Sequence, residues 1–296
     1  MSTRTWIGTT TAFATATNWS GSTVPVTGDT AIFDQGAAGP VAGSDQSAIT
    51  LAQLTIKSTV PTTSYVGSAA TELKIGATLW RIGDAALGPI AGSFPLRVTL
   101  DTGTAASSGV VVGTSSSTVD TGQEPVRIKG VNAANTIIVQ AGLVGIATNA
   151  ATDVATYSEI DVLGGQANIG SGVTLTTFKQ TAGVANIFCA ATTIRQTAGT
   201  LTTTGSGAVT SAFAGGTSTY NSTGTITTLE VPGGGVADFN QDFKAKTVTT
   251  IKLYKGSTLR IGSHITVTNP IQLVECTPAD VTITVRPNVS LVMAYL

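Results

Sequence analysis

Few side chains in this sequence have the types and spacing that chemistry needs. Glu159 and Asp161 stand two apart, so a strand would place both carboxylates on one face, roughly 6.7 Å apart by strand rise. That separation falls in the range of an inverting glycoside-hydrolase pair. An outward ion-pair column accounts for them equally, because Lys179 and Arg195 follow one repeat apart. Asp238, Asn240 and Asp242 alternate like the opening of a calcium loop, but Phe243 stands where that loop needs glycine, and the closing glutamate is missing. His264 is the only histidine, so any Ser-His-Asp or Cys-His arrangement would have to be built on it. Cys189 and Cys276 are too few for a disulfide framework and, with one histidine, cannot form a zinc site of the usual spacing; buried free thiols are expected. There is no phosphate-binding Gly-x-x-x-x-Gly-Lys loop. No cofactor and no metal is therefore expected.

The elements that would position these residues form a repeat. Ile160-Asp161-Val162-Leu163-Gly164-Gly165 returns as Phe178-Lys179-Gln180-Thr181-Ala182-Gly183 and Ile194-Arg195-Gln196-Thr197-Ala198-Gly199. Looser copies begin at Phe213, Leu229 and Ile251, and one begins upstream at Ile138. From Ile160 onward the lead residues are spaced 18, 16, 19, 16 and 22. A period near twenty, each copy a short apolar strand ended by glycine, implies stacked rungs of a β-solenoid. Strand alternation points the lead residues inward and Asp161, Lys179, Arg195, Ala214, Glu230 and Lys252 outward. With rungs about 4.8 Å apart, Asp161 should meet Lys179 and Glu230 should meet Lys252. Gln140, Gln180 and Gln196 occupy one inward column, where stacked amides can bond along the axis.

Composition agrees. Charged residues are 10% of the 296, against about 25% in average globular proteins, while the apolar fraction is 42%. Abundant threonine is compatible with strands rather than with disorder. The net charge of −1 without a basic cluster argues against a nucleic-acid partner. No run reaches the apolar length that spans a bilayer, and the first residues lack a signal-peptide core; synthesis in a host cytoplasm without such a signal is expected. The sequons at Asn18, Asn221 and Asn288 would matter only in a secreted chain.

The ends differ from the middle. Residues 1–45 contain Trp6, Trp19 and Phe33 among turn-rich segments and read as an aromatic cap that also offers a docking surface. Residues 46–265 read as the solenoid, with 84–125 as broader rungs or a lateral insertion. Residues 266–296 form apolar strands separated by prolines and end on Tyr295 and Leu296, as either a cap or an oligomer contact. Trp6-Ile7-Gly8, Asn18-Trp19-Ser20, Val24-Pro25, Gly28-Asp29 and Phe33 together resemble the opening of phage and prophage β-helical virion proteins, and are similar to the lead-in of autotransporter-type passenger repeats. The resemblance covers roughly the first 35 residues. It implies a structural virion component of the capsid-decoration or head-fibre kind, with trimeric assembly expected, and brings no catalytic residues.

The expected molecule is thus an all-β, right-handed parallel β-solenoid (β-helix) with an aromatic N-terminal cap and a β-rich C-terminal end. Its expected role is that of a non-enzymatic bacteriophage cement protein on the capsid exterior of the virion. It would bind the major capsid protein lattice as a homotrimer, with contacts drawn from Trp6, Trp19, Phe33, Tyr295 and Leu296, and without nucleic acid or membrane. The alternatives are a tail-fibre or adhesin module binding a host surface, and a glycan-degrading tailspike.

Overall fold

The computed structural model describes residues 1–8, 10–34, 45–60, 65–67, 72–83, 97–114, 123–149, 152–286 and 291–295. Among them the chain is all-β: 26 strands, three short 3-10 turns and no α-helix. Strand pairing is parallel, and the architecture is that of a parallel β-solenoid. Two compact units divide the chain. The first is Met1–Ser158 with Gly164–Asn168, and the second is Glu159–Leu163 with Ile169–Leu296.

In the first unit, Thr3–Trp6, Thr30–Phe33, Asp45–Ile56, Leu73–Ile82, Ser108–Val111 and Thr136–Val139 stack as successive rungs of one face. Their register runs Trp6, Phe33, Ile56, Ile82, Val111, Val139, an inward column of buried apolar side chains. A second face stacks Tyr65–Val66, Arg97–Asp101, Val126–Lys129 and Leu143–Ile146, with Leu100, Ile128 and Ile146 inward. Burying each such side chain contributes about 1.5–3 kcal/mol, which makes the column the main adhesive of the stack. Gly109 stands beside Trp80 in the register because a Cβ there would lie 1.8 Å from the indole. The segment expected to be a cap thus supplies the first rungs of this stack. The span expected to be an insertion holds two ordinary rung strands, Arg97–Asp101 and Ser108–Val111, while residues 84–96 and 115–122 lie outside the described residues.

In the second unit one face stacks Val173–Gln180, Ala191–Gln196, Val209–Ala214, Ile226–Val231, Lys246–Tyr254, Ile271–Val274 and Met293–Tyr295. The other stacks Val184–Ile187, Thr200–Thr203, Thr217–Tyr220, Val236–Asp238, Thr258–Ile261 and Thr282–Val285. The inward lead column is Phe178, Ile194, Ala212, Leu229, Ile251. The expected Phe213 is off by one: it pairs with Arg195 and Glu230, faces outward, and carries the Arg195 guanidinium 5.2 Å from its ring centre. Ala214, expected outward, is fully buried. Upstream the same slip occurs, since Ile137 and Val139 are buried while Ile138 and Gln140 are exposed.

The corners stack as well. Gly199 turns at φ 86°, and a Cβ there would lie 2.6 Å from the carbonyl oxygen of Gly183, the corner glycine of the preceding rung. Both left-handed backbone and missing volume are needed, so only glycine fits.

Candidate functional site

The carboxylate pair singled out by spacing is tied to a lysine, though not as expected. Lys179 Nζ bonds Glu159 at 2.6 Å, rather than Asp161. Asp161 Oδ1 is buried with no hydrogen-bond partner among the described residues. Burial, and then the neighbouring Glu159 charge, push the Asp161 carboxyl above the usual carboxylate range, with Lys179 pulling the other way. The second expected pair forms: Lys252 Nζ lies 2.9 Å from Glu230 Oε1.

The glutamine column is real but shorter than expected. Gln196 Nε2 donates to Gln180 Oε1 at 3.3 Å and to the Gly199 carbonyl at 2.9 Å. Gln180 Nε2 donates to Gly183 O at 3.0 Å, and Ser218 Oγ donates to Gln196 Oε1 at 2.5 Å. Gln180, Gln196 and Ser218 are fully buried, so the ladder satisfies polar groups that would otherwise destabilise the core. Gln140 takes no place in it, being exposed and in the first unit.

The densest charge constellation was not legible in the sequence. In the first unit, Glu72, Glu124, Arg127, Lys129, Asn149, Asp153 and Asn168 form one network. Glu124 is its centre: Oε1 accepts from Asn168 Nδ2 at 2.9 Å, and Oε2 accepts from Arg127 Nε at 3.1 Å and Thr148 Oγ1 at 3.0 Å. Arg127 also donates to Asn149 Oδ1 at 2.5 Å, and Asn149 Nδ2 donates to Glu72 Oε1 at 3.3 Å. Lys129 joins Glu72 at 2.8 Å and Asp153 at 3.3 Å. The strand Val126–Lys129 points Arg127 and Lys129 outward, with Thr99 and Gly145 as Arg127's register neighbours and Asp101 beside Lys129. Gly145 is what admits the carboxylate, since a Cβ there would lie 2.8 Å from Glu124 Cδ and 2.1 Å from Thr148 Oγ1. Ala147, at φ 51°, turns Thr148 and Asn149 back over Arg127, a left-handed conformation that costs a non-glycine residue about 1 kcal/mol. Burial alone would raise the Glu124 carboxyl, but hydrogen bonds from Asn168, its own backbone, Arg127 and Thr148 outweigh it and hold it below the usual range.

The N-terminal aromatics are core. Trp19 is fully buried and packs edge-on against Trp6, Phe13 and Phe33 with ring centres 5.1, 4.9 and 5.4 Å away, while its Nε1 donates to the Phe13 carbonyl at 2.7 Å. Trp6 and Phe33 are likewise buried, so all three expected contact residues spend their rings on one another; among the described residues of this segment Met1, Ile7 and Val26 are exposed apolar side chains. Tyr295 ends the strand Met293–Tyr295 and pairs in register with Leu273, and Leu296 lies outside the described residues.

The remaining motifs resolve into local structure. Asp238 receives Arg260 at 3.2 Å, and Asp242 receives the Lys244 backbone N–H at 3.1 Å. Among the described residues no group of three or more His, Cys, Asp or Glu side chains is placed to hold a metal ion. His264 Nε2 lies 2.8 Å from the Phe239 carbonyl, with its ring edge-on to Phe243. Cys189 is a buried free thiol that burial pushes up to about 12, and Cys276 is free and half-buried. No helix of the described residues is long and apolar enough to cross a membrane. Comparison with protein families, curated proteins and solved structures finds no match.

Proposed function

We propose that the protein is a non-enzymatic structural component of a bacteriophage virion, a decoration protein that cements the head from outside. The observation that carries this reading is the neutral, hydroxyl-rich coat over a self-satisfied stack. In the second unit Thr177, Thr193, Ser211, Thr228 and Thr250 stand in register on five successive rungs. Glu159 and Glu230 are taken up by Lys179 and Lys252 of neighbouring rungs. Such a stack is rigid along its axis and offers proteases few unpaired strands. The opening motif's resemblance to phage β-helical proteins supports the same reading. With Trp6, Trp19 and Phe33 buried, contact with a capsid lattice through this end would fall to residues such as Ile7 and Val26. Closed three-fold association would suit local three-fold positions of a shell. Quantitative mass spectrometry of purified particles tests this: the expected result is hundreds of copies in simple ratio to the shell subunit. A handful of copies would move the protein to the tail as a host-binding module, and complete absence would sink the virion reading.

One observation favours a second reading, glycan cleavage. Asp161 stands two residues from Glu159 with one oxygen buried and no partner among the described residues, and burial raises its carboxyl; neighbouring carboxyls are the equipment of a glycosidase acid and base. Failure of the wild-type protein to shorten any surface polysaccharide of its host would end that reading. Cleavage lost in both Glu159→Gln and Asp161→Asn, with the fold intact, would establish it.

A further inference from the structure

The network around Glu124 joins segments far apart in sequence through one carboxylate. Glu124 precedes the strand Val126–Lys129, Thr148 sits in the turn after Leu143–Ile146, and Asn168 belongs to Gln166–Ile169. All three donors converge on the two oxygens of a side chain only 11% exposed. The strained turn at Ala147 persists because Thr148 and Asn149 are bound on its far side, and Gly145 leaves the space that the carboxylate fills. A neutral carboxyl keeps one acceptor oxygen but turns the other into a donor, which Thr148 can accept only by turning its hydroxyl and which Arg127, a donor alone, cannot accept.

We propose that this network is an acid-released clamp: ionised Glu124 holds the turn after Leu143–Ile146 and the Gln166–Ile169 strand to Val126–Lys129, and protonation of Glu124 lets them go. The charged groups of the network are Arg127, which bonds Glu124, and Lys129 from the strand that follows it, with Glu72, Asp153 from the loop beyond the turn, and Asp101 gathered around Lys129. Protonation takes the charged acceptor from Arg127 and costs the clamp Glu124's own bonds. The sign follows from the Glu124 carboxyl lying below its ordinary value of 4.5. Its contribution is complete above that value and is lost as pH falls through the lower folded one. Lys129, raised through its contact with Glu72 against the effect of burial, keeps its charge throughout this range.

Hydrogen–deuterium exchange of the full chain at pH 7 and about pH 3, corrected for intrinsic rates, tests the clamp. Peptides covering 123–149 and 164–168 are expected to lose about tenfold or more of their protection in acid, while peptides covering 191–220 hold theirs. Glu124→Gln is expected to show the acid pattern already at neutral pH and to change little on acidification. Should that variant fail to fold, Asn168→Ala removes one donor from Oε1 and should move the loss of protection to higher pH. Equal protection of the clamp peptides at both pH values would overturn the proposal. So would a full acid response in Glu124→Gln, an unmoved midpoint in Asn168→Ala, or simultaneous loss in the 191–220 reference.

Discussion

The two units place their largest polar networks differently. In the second, successive rungs are 16, 18 and 17 residues apart from Leu175 to Ala191, Val209 and Ile226, and the ordered polar groups lie inside, as the ladder of Gln180, Gln196 and Ser218. In the first, the steps from Leu79 to Ser108 and on to Thr136 are 29 and 28 residues, the inward column is apolar, and beside the buried pair Ser107–Asn135 the largest polar network lies outside around Glu124. A rung of about seventeen residues is spent almost wholly on two strands and their corners, so side chains can meet only the rung above or below. About eleven extra residues give the chain loops, and loops can fold Asn149 and Asp153 back over a strand. Longer rungs thus add lateral polar order to axial pairs such as Ser107–Asn135.

The comparison can be tested from its strongest point to its weakest. Trp19→Ala should destabilise the first unit by about 3–5 kcal/mol, because the ring is fully buried among three aromatics. A thermal melt that stays in place would return Trp19 to docking. Gln196→Ala should cost about 2–4 kcal/mol in the second unit, since it takes the partner from buried Gln180 Oε1 and Ser218 Oγ and one donor each from the Gly199 and Thr217 carbonyls. Urea titration followed at second-unit peptides reads this, and a negligible change would mean that the ladder is ornament. Gly145→Ala should cost about 1–3 kcal/mol by expelling Glu124 from its seat, and should flatten the acid response of the clamp peptides. Lys252→Ala should cost under about 1 kcal/mol, as expected for a pair about one-third exposed. A loss as large as that of Gln196→Ala would erase the distinction between inner and outer polarity.

Much of the second unit could be read directly from residues. Ile160, Phe178, Ile194, Leu229 and Ile251 are all buried where alternation puts them, and the glycine after each strand marks a corner. Phe213 misled because a large apolar residue looks inward by type. The register instead buries Ala212 and Ala214 and leaves the phenyl ring under Arg195. Asp161 and Lys179 are a comparable case: period alone makes them neighbours, but Lys179's flexible stem reaches the more exposed Glu159. The Glu124 network left no signal at all. Its members run from residue 72 to residue 168 at no common spacing, and what unites them is the path of loops whose lengths vary from rung to rung.

The stacked corner glycines bear on how such a chain can change length. Gly183, Gly199 and Gly216 succeed one another, each filling the space below the next, with the missing Cβ of Gly216 directed at the Gly199 carbonyl 2.5 Å away. A rung copied whole brings its own glycine and its own lead residue, and meets the same seat on either side that its parent met. A rung cut or extended by a single residue meets a side chain where a bare corner is required. Gene-level insertions and deletions should therefore be tolerated in whole-rung multiples and purged otherwise, so that lineages of this protein would differ in rung number, as a ruler does in its marks, before they differ in cross-section.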